Sequence, residues 1–445
     1  MLLDMTPLTY QANGALHAQR LADLPGMVFL DSRHGAESHA GWDFIAALPE
    51  ATLCIEDYGH DAQRWLAAIE EALRAGAYPG TPEGWPFGLG AIGFFDYDSA
   101  ARIHGIQRAN PFPAKVGLYR AAVVQNHAQG EAWLVCDPQC PPEKRSLLID
   151  RLSMDPVAPC EPAGLAAASL IEPFTPDISE QEYRDALARI QAWLHAGDCY
   201  QVNFAHRFHA RMVGHAWCAY RQLRNAIHGS YSAYLALSPG HAVLSLSPER
   251  FLSVNGGRVT TQPIKGTAPR GVDPETDHAA AQTLLASAKD RAENVMITDL
   301  LRNDLGEWCV PGSVQTPELC ALRSYSNVHH LVSTVQGRLR PDVTPGALLA
   351  GCAPGGSITG APKRRAIEII AQLEPAHRGV YCGNVFTLTA DGELHSSIAI
   401  RTVEAIDDNL YCWGGGGITV ASSASAEYRE TQDKVGALLN ALPVQ

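Results

Sequence analysis

Two pairs of carboxylates and one lysine–glutamate couple stand at spacings that could do chemistry. Asp290 and Glu293 are three residues apart in a stretch that reads as helix, so both face the same way. Glu427 and Glu430 repeat that spacing in the last helical stretch, with Lys434 one turn beyond. Either pair alone is what a solvated helix face looks like in an acidic chain. Brought together, they would supply the few carboxylates that hold Mg²⁺ while water and substrate oxygens complete its octahedron. Glu249 and Lys265 flank Asn255-Gly256, the strongest short hairpin signal in the chain. In a three-residue-loop register Glu249 lies opposite Pro263, and Lys265 falls on the same face as its diagonal neighbour. A two-residue loop changes that parity. The couple reads either as a surface ion pair worth less than about 1 kcal/mol or as a proton donor beside an amine nucleophile.

Three further features are weaker singly. His330 follows another histidine in an apolar run and reads by default as a satisfied core residue. Arg401 ends the run Ser397–Thr402, and arginine suits bidentate carboxylate recognition, although a strand-end arginine also reaches solvent. Gly414–Gly417 could bring backbone N–H groups close to an anion.

The elements that must position these residues follow from periodicity. Ser179 with Glu182 forms a capping box; Tyr183, Leu187, Ile190 and Leu194 make one stripe, and Gly197 closes the helix. Strands are expected at 199–208, 242–246, 250–254, 258–264, 380–389, 394–403 and 410–413, with Asp391-Gly392 as a second hairpin turn. Helices are expected near 277–301, 362–373 and 425–439. Antiparallel meanders with interspersed helices define an α+β fold with large antiparallel sheets flanked by helices. A Pro- and Ala-rich connector at 154–176 separates an N-terminal region, 1–153, from a motif-dense region, 177–445.

The chain has 445 residues, 34 Lys plus Arg against 47 Asp plus Glu, and a net charge of −13. That length gives a prior of about three domains, and the acidic balance gives no footprint for nucleic acid or anionic membranes. The start lacks a signal-peptide pattern and no apolar run nears the roughly 20 residues of a membrane span, so a cytoplasmic protein is expected. The eleven cysteines show no zinc-ligand spacing and read as small buried hydrophobes. Gly88–Gly93 fits the dinucleotide G-x-G-x-x-G pattern but lacks a preceding strand and a following helix. Gly355 and Gly360 have P-loop spacing, yet Ala361-Pro362 stands where Lys-Ser/Thr is needed.

The motifs together carry a resemblance. Ser247-Pro248-Glu249, Pro263-Ile264-Lys265-Gly266-Thr267, Asp299-Leu300-Leu301-Arg302-Asn303-Asp304, Gly356–Lys363, Ile400-Arg401-Thr402 and Glu427-Tyr428-Arg429-Glu430-Thr431 occur in one order. In that order they resemble the chorismate-utilising enzymes: anthranilate synthase component I, aminodeoxychorismate synthase component I, and the isochorismate and salicylate synthases. The resemblance runs from about Ser179 to the end and is looser before it, through Leu30-Asp31-Ser32 and Gly90–Phe94. Isochorismate and salicylate synthases carry a lysine where this chain has Gln201, and anthranilate synthases typically carry alanine where it has Lys265. Gln with Lys is similar to the aminodeoxychorismate synthase component I branch, which serves folate and p-aminobenzoate synthesis.

The resemblance implies an anthranilate synthase component I-like fold and a transferase acting on chorismate. Lys265 would be the nucleophile and Glu249 the acid. Glu293 and Glu430 would ligate Mg²⁺, assisted by Asp290 and Glu427. Tyr381 and Arg401, with backbone N–H groups near Gly415 and Gly417, would take the enolpyruvyl carboxylate. Gln201, Gly266, Thr267, His330, Ser357 and Lys434 would complete the substrate site, and Ser32 matches a residue of a tryptophan pocket. Without a glutaminase nucleophile elbow, ammonia would come from a separate glutamine amidotransferase subunit. Anthranilate synthase component I, and a catalytically silent chorismate- or tryptophan-binding subunit, are the alternatives.

Overall fold

The computed structural model describes residues 3–31, 41–153, 165–325 and 328–445. Helix Glu180–Ala196 forms where its caps and stripe dictate. Ser179 Oγ accepts the Glu182 N–H at 3.3 Å, Glu182 returns to the Ser179 N–H at 2.7 Å, and Gly197 ends the helix at φ +80°. Its four stripe residues are buried. Ser179→Ala is expected to lower stability by about 1 kcal/mol, read as a shifted denaturant midpoint at unchanged slope.

Among the described residues the strands form two large sheets, of 13 and 10 strands, and every pairing within them is antiparallel. Alternation decides what each sheet buries. In Val28–Asp31, Val28 and Leu30 join a cluster with Phe94, Tyr119, Val243 and Val385, drawn from both sheets. Phe29 points the other way, to Trp217 and Tyr220 of helix Ala216–Ala226. Helices cover the outer face of the second sheet likewise, where Trp65 meets Phe95 and Phe386. The sheets therefore pack face to face with helices outside, the α+β arrangement expected.

Strands from both sides of the connector share each sheet. Val28–Asp31 pairs with Tyr231–Ser238, and Gly90–Phe95 pairs with Asn384–Leu388. Gly90–Phe95 is thus an interior strand, in keeping with the rejected dinucleotide motif.

Several local expectations are corrected. The helix expected at 277–301 is two, Pro274–Ala286 and Ala288–Gly306. Ser287 leaves helical geometry (ψ 105°), and its Oγ accepts the Asp290 N–H to start the second helix. The hairpin turn is the two-residue Gly256-Gly257, both at positive φ, with Asn255 opposite Arg258. Its return strand ends at Thr261, and Ile264–Pro269 pairs instead with Val328–Arg338. Glu249 and Lys265 are therefore not diagonal neighbours in one hairpin. The run 394–403 also divides: Leu394–Ile398 lies in the second sheet and Thr402–Ile406 in the first. Gly414–Gly417 continue a strand, Asn409–Ile418, rather than following it.

Candidate active site

A cavity of about 500 Å³ opens between the ends of these strands and the helices Ala288–Gly306 and Ala424–Leu439. Glu249 enters from the bend after strand His241–Ser247, its N–H held by Ser247 Oγ at 3.2 Å. Ser357, on the short turn Gly356–Ile358, donates its hydroxyl to Glu249 Oε1 at 2.8 Å. The carbonyl of the same Ser357 accepts from Lys265 Nζ at 3.4 Å. One residue thus touches both members of the couple. Burial pushes the Glu249 carboxyl up, against the opposing pull of Lys265 and Ser357. Burial likewise pushes the Lys265 ammonium down, with Lys434 acting in the same sense and Glu249, Glu293 and Glu430 against it. Each group is driven toward its neutral form.

Gly266 stands at φ +87°, and a Cβ there would lie 2.9 Å from Asp290 Cβ. Only glycine lets the Lys265 strand come this close to the Ala288–Gly306 helix. Thr267 Oγ1 and His330 Nδ1 meet at 2.8 Å across neighbouring strands. His330 is buried, and its pKa is lowered to about 4 by desolvation and then by Arg401, so it is a neutral hydrogen-bonding group.

Asp290, Glu293, Glu427 and Glu430 all face this cavity. Lys289 approaches Glu293 at 3.9 Å, and Lys434 pairs with Glu430 at 2.8 Å while also reaching the Gly415 carbonyl. Burial pushes Glu427 up; at Glu430 burial acts in that direction too, but Lys434, Lys289 and Lys265 together outweigh it and the carboxyl is lowered. Among the described residues no three His, Cys, Asp or Glu side chains close into a cage. Four carboxylates from two helices nevertheless form an all-oxygen donor set, which suits a cation that keeps several waters.

Arg401 lies at the crossing between the two sheets in left-handed conformation, φ +49°. The turn carries its side chain into the cavity, and among the described residues no carboxylate pairs with it. Burial lowers its pKa, and a half-buried guanidinium facing the cavity is suited to a carboxylate. Tyr381 lies nearby, stacked on Trp413 at 5.7 Å between centroids. Gly415 and Gly417 complete this wall, where a Cβ would meet Ala205 Cβ at 2.6 Å or Gln201 Nε2 at 2.8 Å.

Fifteen of the seventeen residues singled out from sequence therefore line one cavity. Gln201 stands behind Gly417, buried and with its Nε2 unpartnered, rather than on the cavity surface. Ser32 lies outside the described residues. Its neighbour Asp31 forms a buried ion pair with Arg224 and borders a separate cavity of about 50 Å³, about a third of the roughly 150 Å³ that holds a benzene. The cavity also uses Asn203, Pro248, Ile264, Lys289, Ile358, Ile400, Trp413, Gly414 and Val435. Of these, Gly414 belongs to the glycine run read from the sequence, Pro248, Ile264, Ile358 and Ile400 lie within the motifs of the resemblance, and Lys289 has an i,i+4 spacing to Glu293; Asn203, Trp413 and Val435 are not marked out. The described cysteines are free and, apart from half-buried Cys54, buried. No described helix is long and apolar enough to cross a membrane.

Residues 27–440 match the chorismate-binding enzyme family, and the chain belongs to it. Within that family the chain is 42% identical over 441 residues to the aminodeoxychorismate synthase component 1 of Klebsiella aerogenes, covering 95% of each. It is 33% identical to the anthranilate synthase component 1 of Pseudomonas aeruginosa, covering 95% of this chain and 91% of that one. The crystal structure of anthranilate synthase component I from Streptococcus pneumoniae superposes with a TM-score of 0.74 at 27% identity, over 98% of this chain and 92% of that one.

Proposed function

We propose that this chain aminates chorismate at C4 to give 4-amino-4-deoxychorismate, using ammonia released from glutamine by a separate amidotransferase subunit. The observation that carries this reading is Lys265 and Glu249 in one cavity, each driven toward its neutral form. Close identity over nearly the whole chain to a relative named for that reaction supports it.

Neutral Lys265 attacks ring C2, the double bonds shift, and the C4–oxygen bond breaks as Glu249 gives its proton to the departing hydroxyl, releasing water. Ammonia then bonds to C4, the double bonds shift back, and the C2–Nζ bond breaks with its electron pair returning to the lysine. The new C4 ammonium gives up a proton to Glu249, which restores both groups. Ser357 aligns them throughout, one contact to each. Arg401 and Tyr381, with the backbone near Gly415 and Gly417, hold the enolpyruvyl carboxylate. Gly266, Thr267, His330 and Lys434 shape the ring side, and Gln201 supports Gly417 from behind.

Glu293 and Glu430 would hold Mg²⁺, with Asp290 and Glu427 beside them. When bound, the ion supplies positive charge for the ring carboxylate.

The decisive experiment incubates the protein with chorismate, Mg²⁺ and ammonium and identifies the product by mass and retention. Anthranilate with pyruvate, or isochorismate, would overturn the assignment. Tight binding without turnover would make the chain a silent ligand-binding subunit. Arg401→Gln is expected to raise the KM for chorismate by about 10- to 100-fold, the loss of a charge-assisted hydrogen-bond pair; steady-state kinetics reads it directly.

A further inference from the structure

Behind the cavity lies a cation that does not line it. Arg378 is fully buried, and four of its five N–H groups have named acceptors. Nε and Nη2 grip both oxygens of Glu374, at 2.8 and 2.7 Å. Nη1 donates to the carbonyl of Ile358 at 3.0 Å, and Nη2 also donates to the carbonyl of Asn203 at 2.7 Å. The guanidinium stacks 4.6 Å from the Tyr97 ring and lies 5.8 Å from that of Tyr381. Glu374 in turn accepts the Ala205 N–H at 2.8 Å.

A buried ion pair is a poor way to gain stability, because a well-packed apolar pair of similar volume does as well or better. The directional bonds suggest another use. Asn203 and Ile358 both border the cavity, and Ile358 is the next residue after Ser357, whose hydroxyl and carbonyl touch Glu249 and Lys265. The Asn203 N–H also donates to the Thr359 carbonyl at 2.8 Å, so the strand and the turn are tied at two points with the guanidinium bridging them. Tyr381 follows within the same loop, its N–H donating to the Arg378 carbonyl at 3.0 Å.

We propose that Arg378, held by Glu374, is the positioning residue of this site: it fixes the Ser357 turn against the Asn203 strand and Tyr381, and so sets the Glu249–Lys265 alignment. This rests on the reading that Lys265 and Glu249 do the chemistry. A planar fork is needed, since a lysine ammonium cannot reach a carboxylate and two carbonyls in this geometry. The role is distinct from substrate contact, so its signature lies in kcat more than in KM.

The test is a double-mutant cycle between Arg378→Lys and Ser357→Ala, read as chorismate consumption, with the parent's product identified alongside. Arg378→Lys is expected to lose at least tenfold in kcat with less than threefold change in the KM for chorismate. In the Ser357→Ala background the same change is expected to cost less than threefold, because the hydroxyl that aligns Glu249, through which it acts, is gone. Full additivity, or a parent-like kcat in Arg378→Lys, overturns the proposal. A rise in KM alone also overturns it. Thermal unfolding is measured for every variant; if Arg378→Lys does not fold, the cycle uses Glu374→Gln/Arg378→Met, which removes the charges together, and the same outcomes decide. A parent that consumes chorismate to another product overturns the amination reading while leaving the cycle interpretable.

Discussion

Lys265→Ala is expected to leave no measurable 4-amino-4-deoxychorismate, a loss on the order of 10⁴-fold or more, as when a catalytic nucleophile is deleted. No second amine can replace it: Lys434 is engaged by Glu430 and the Gly415 carbonyl, and Lys289 sits beside Glu293. The variant should fold, because the lysine's anchoring contact is a single 3.4 Å bond to a carbonyl that water can satisfy. With ring C2 no longer occupied, ammonia is expected to add there, and anthranilate with pyruvate becomes the product to seek by fluorescence. A variant that still made the C4-amino product at the parent rate would remove Lys265 from the chemistry.

Glu249→Gln is expected to cost about 10²–10⁴-fold in kcat, the usual contribution of a positioned acid, and to change the pH profile. In the proposed mechanism activity requires Glu249 protonated, so it falls as pH rises through that carboxyl's pKa, which burial has moved up. It also requires Lys265 neutral, so it falls as pH drops through the ammonium's pKa, which burial has moved down. The parent should therefore give a bell. Glutamine cannot deprotonate, so the variant's remaining activity should keep the acidic limb and lose the alkaline one. An unchanged alkaline limb would assign it to another group.

Most of the residues that line the cavity were legible because type and order along the chain mark them out. What brings them together was not. The carboxylate pairs do converge on one cavity, but convergence depends on how two helices dock, which i,i+3 spacing cannot specify. The hairpin argument linking Glu249 with Lys265 failed on loop length: two residues fit Gly256-Gly257, both at positive φ, and Ile264–Pro269 then takes another partner. The outcome still places both in the cavity, by a different route. Ser287 hid a helix break because serine is tolerated inside a helix as well as at its cap. Arg401 read as the end of a strand; the change of sheet that aims it inward is written in long-range pairing. Lys363, part of a motif in the resemblance, holds Asp304 at 2.7 Å and the Cys352 carbonyl at 3.0 Å, so that motif serves the scaffold as well as the site.

The sharing of both sheets by strands from either side of the 154–176 connector has a consequence for dissection and for biogenesis. Residues 177–445 made alone would present bare edges at Tyr231–Ser238 and Asn384–Leu388, the partners of Val28–Asp31 and Gly90–Phe95. Unpaired hydrophobic edges recruit other chains, so that fragment should aggregate although it carries almost every residue of the site. During synthesis the order is reversed. Gly90–Phe95 must wait for about 290 residues of chain before Asn384–Leu388 emerges, and such distant pairings are slow to form. The protein is therefore vulnerable while it is being made, and its yield should depend on chaperone supply more steeply than its finished stability would suggest.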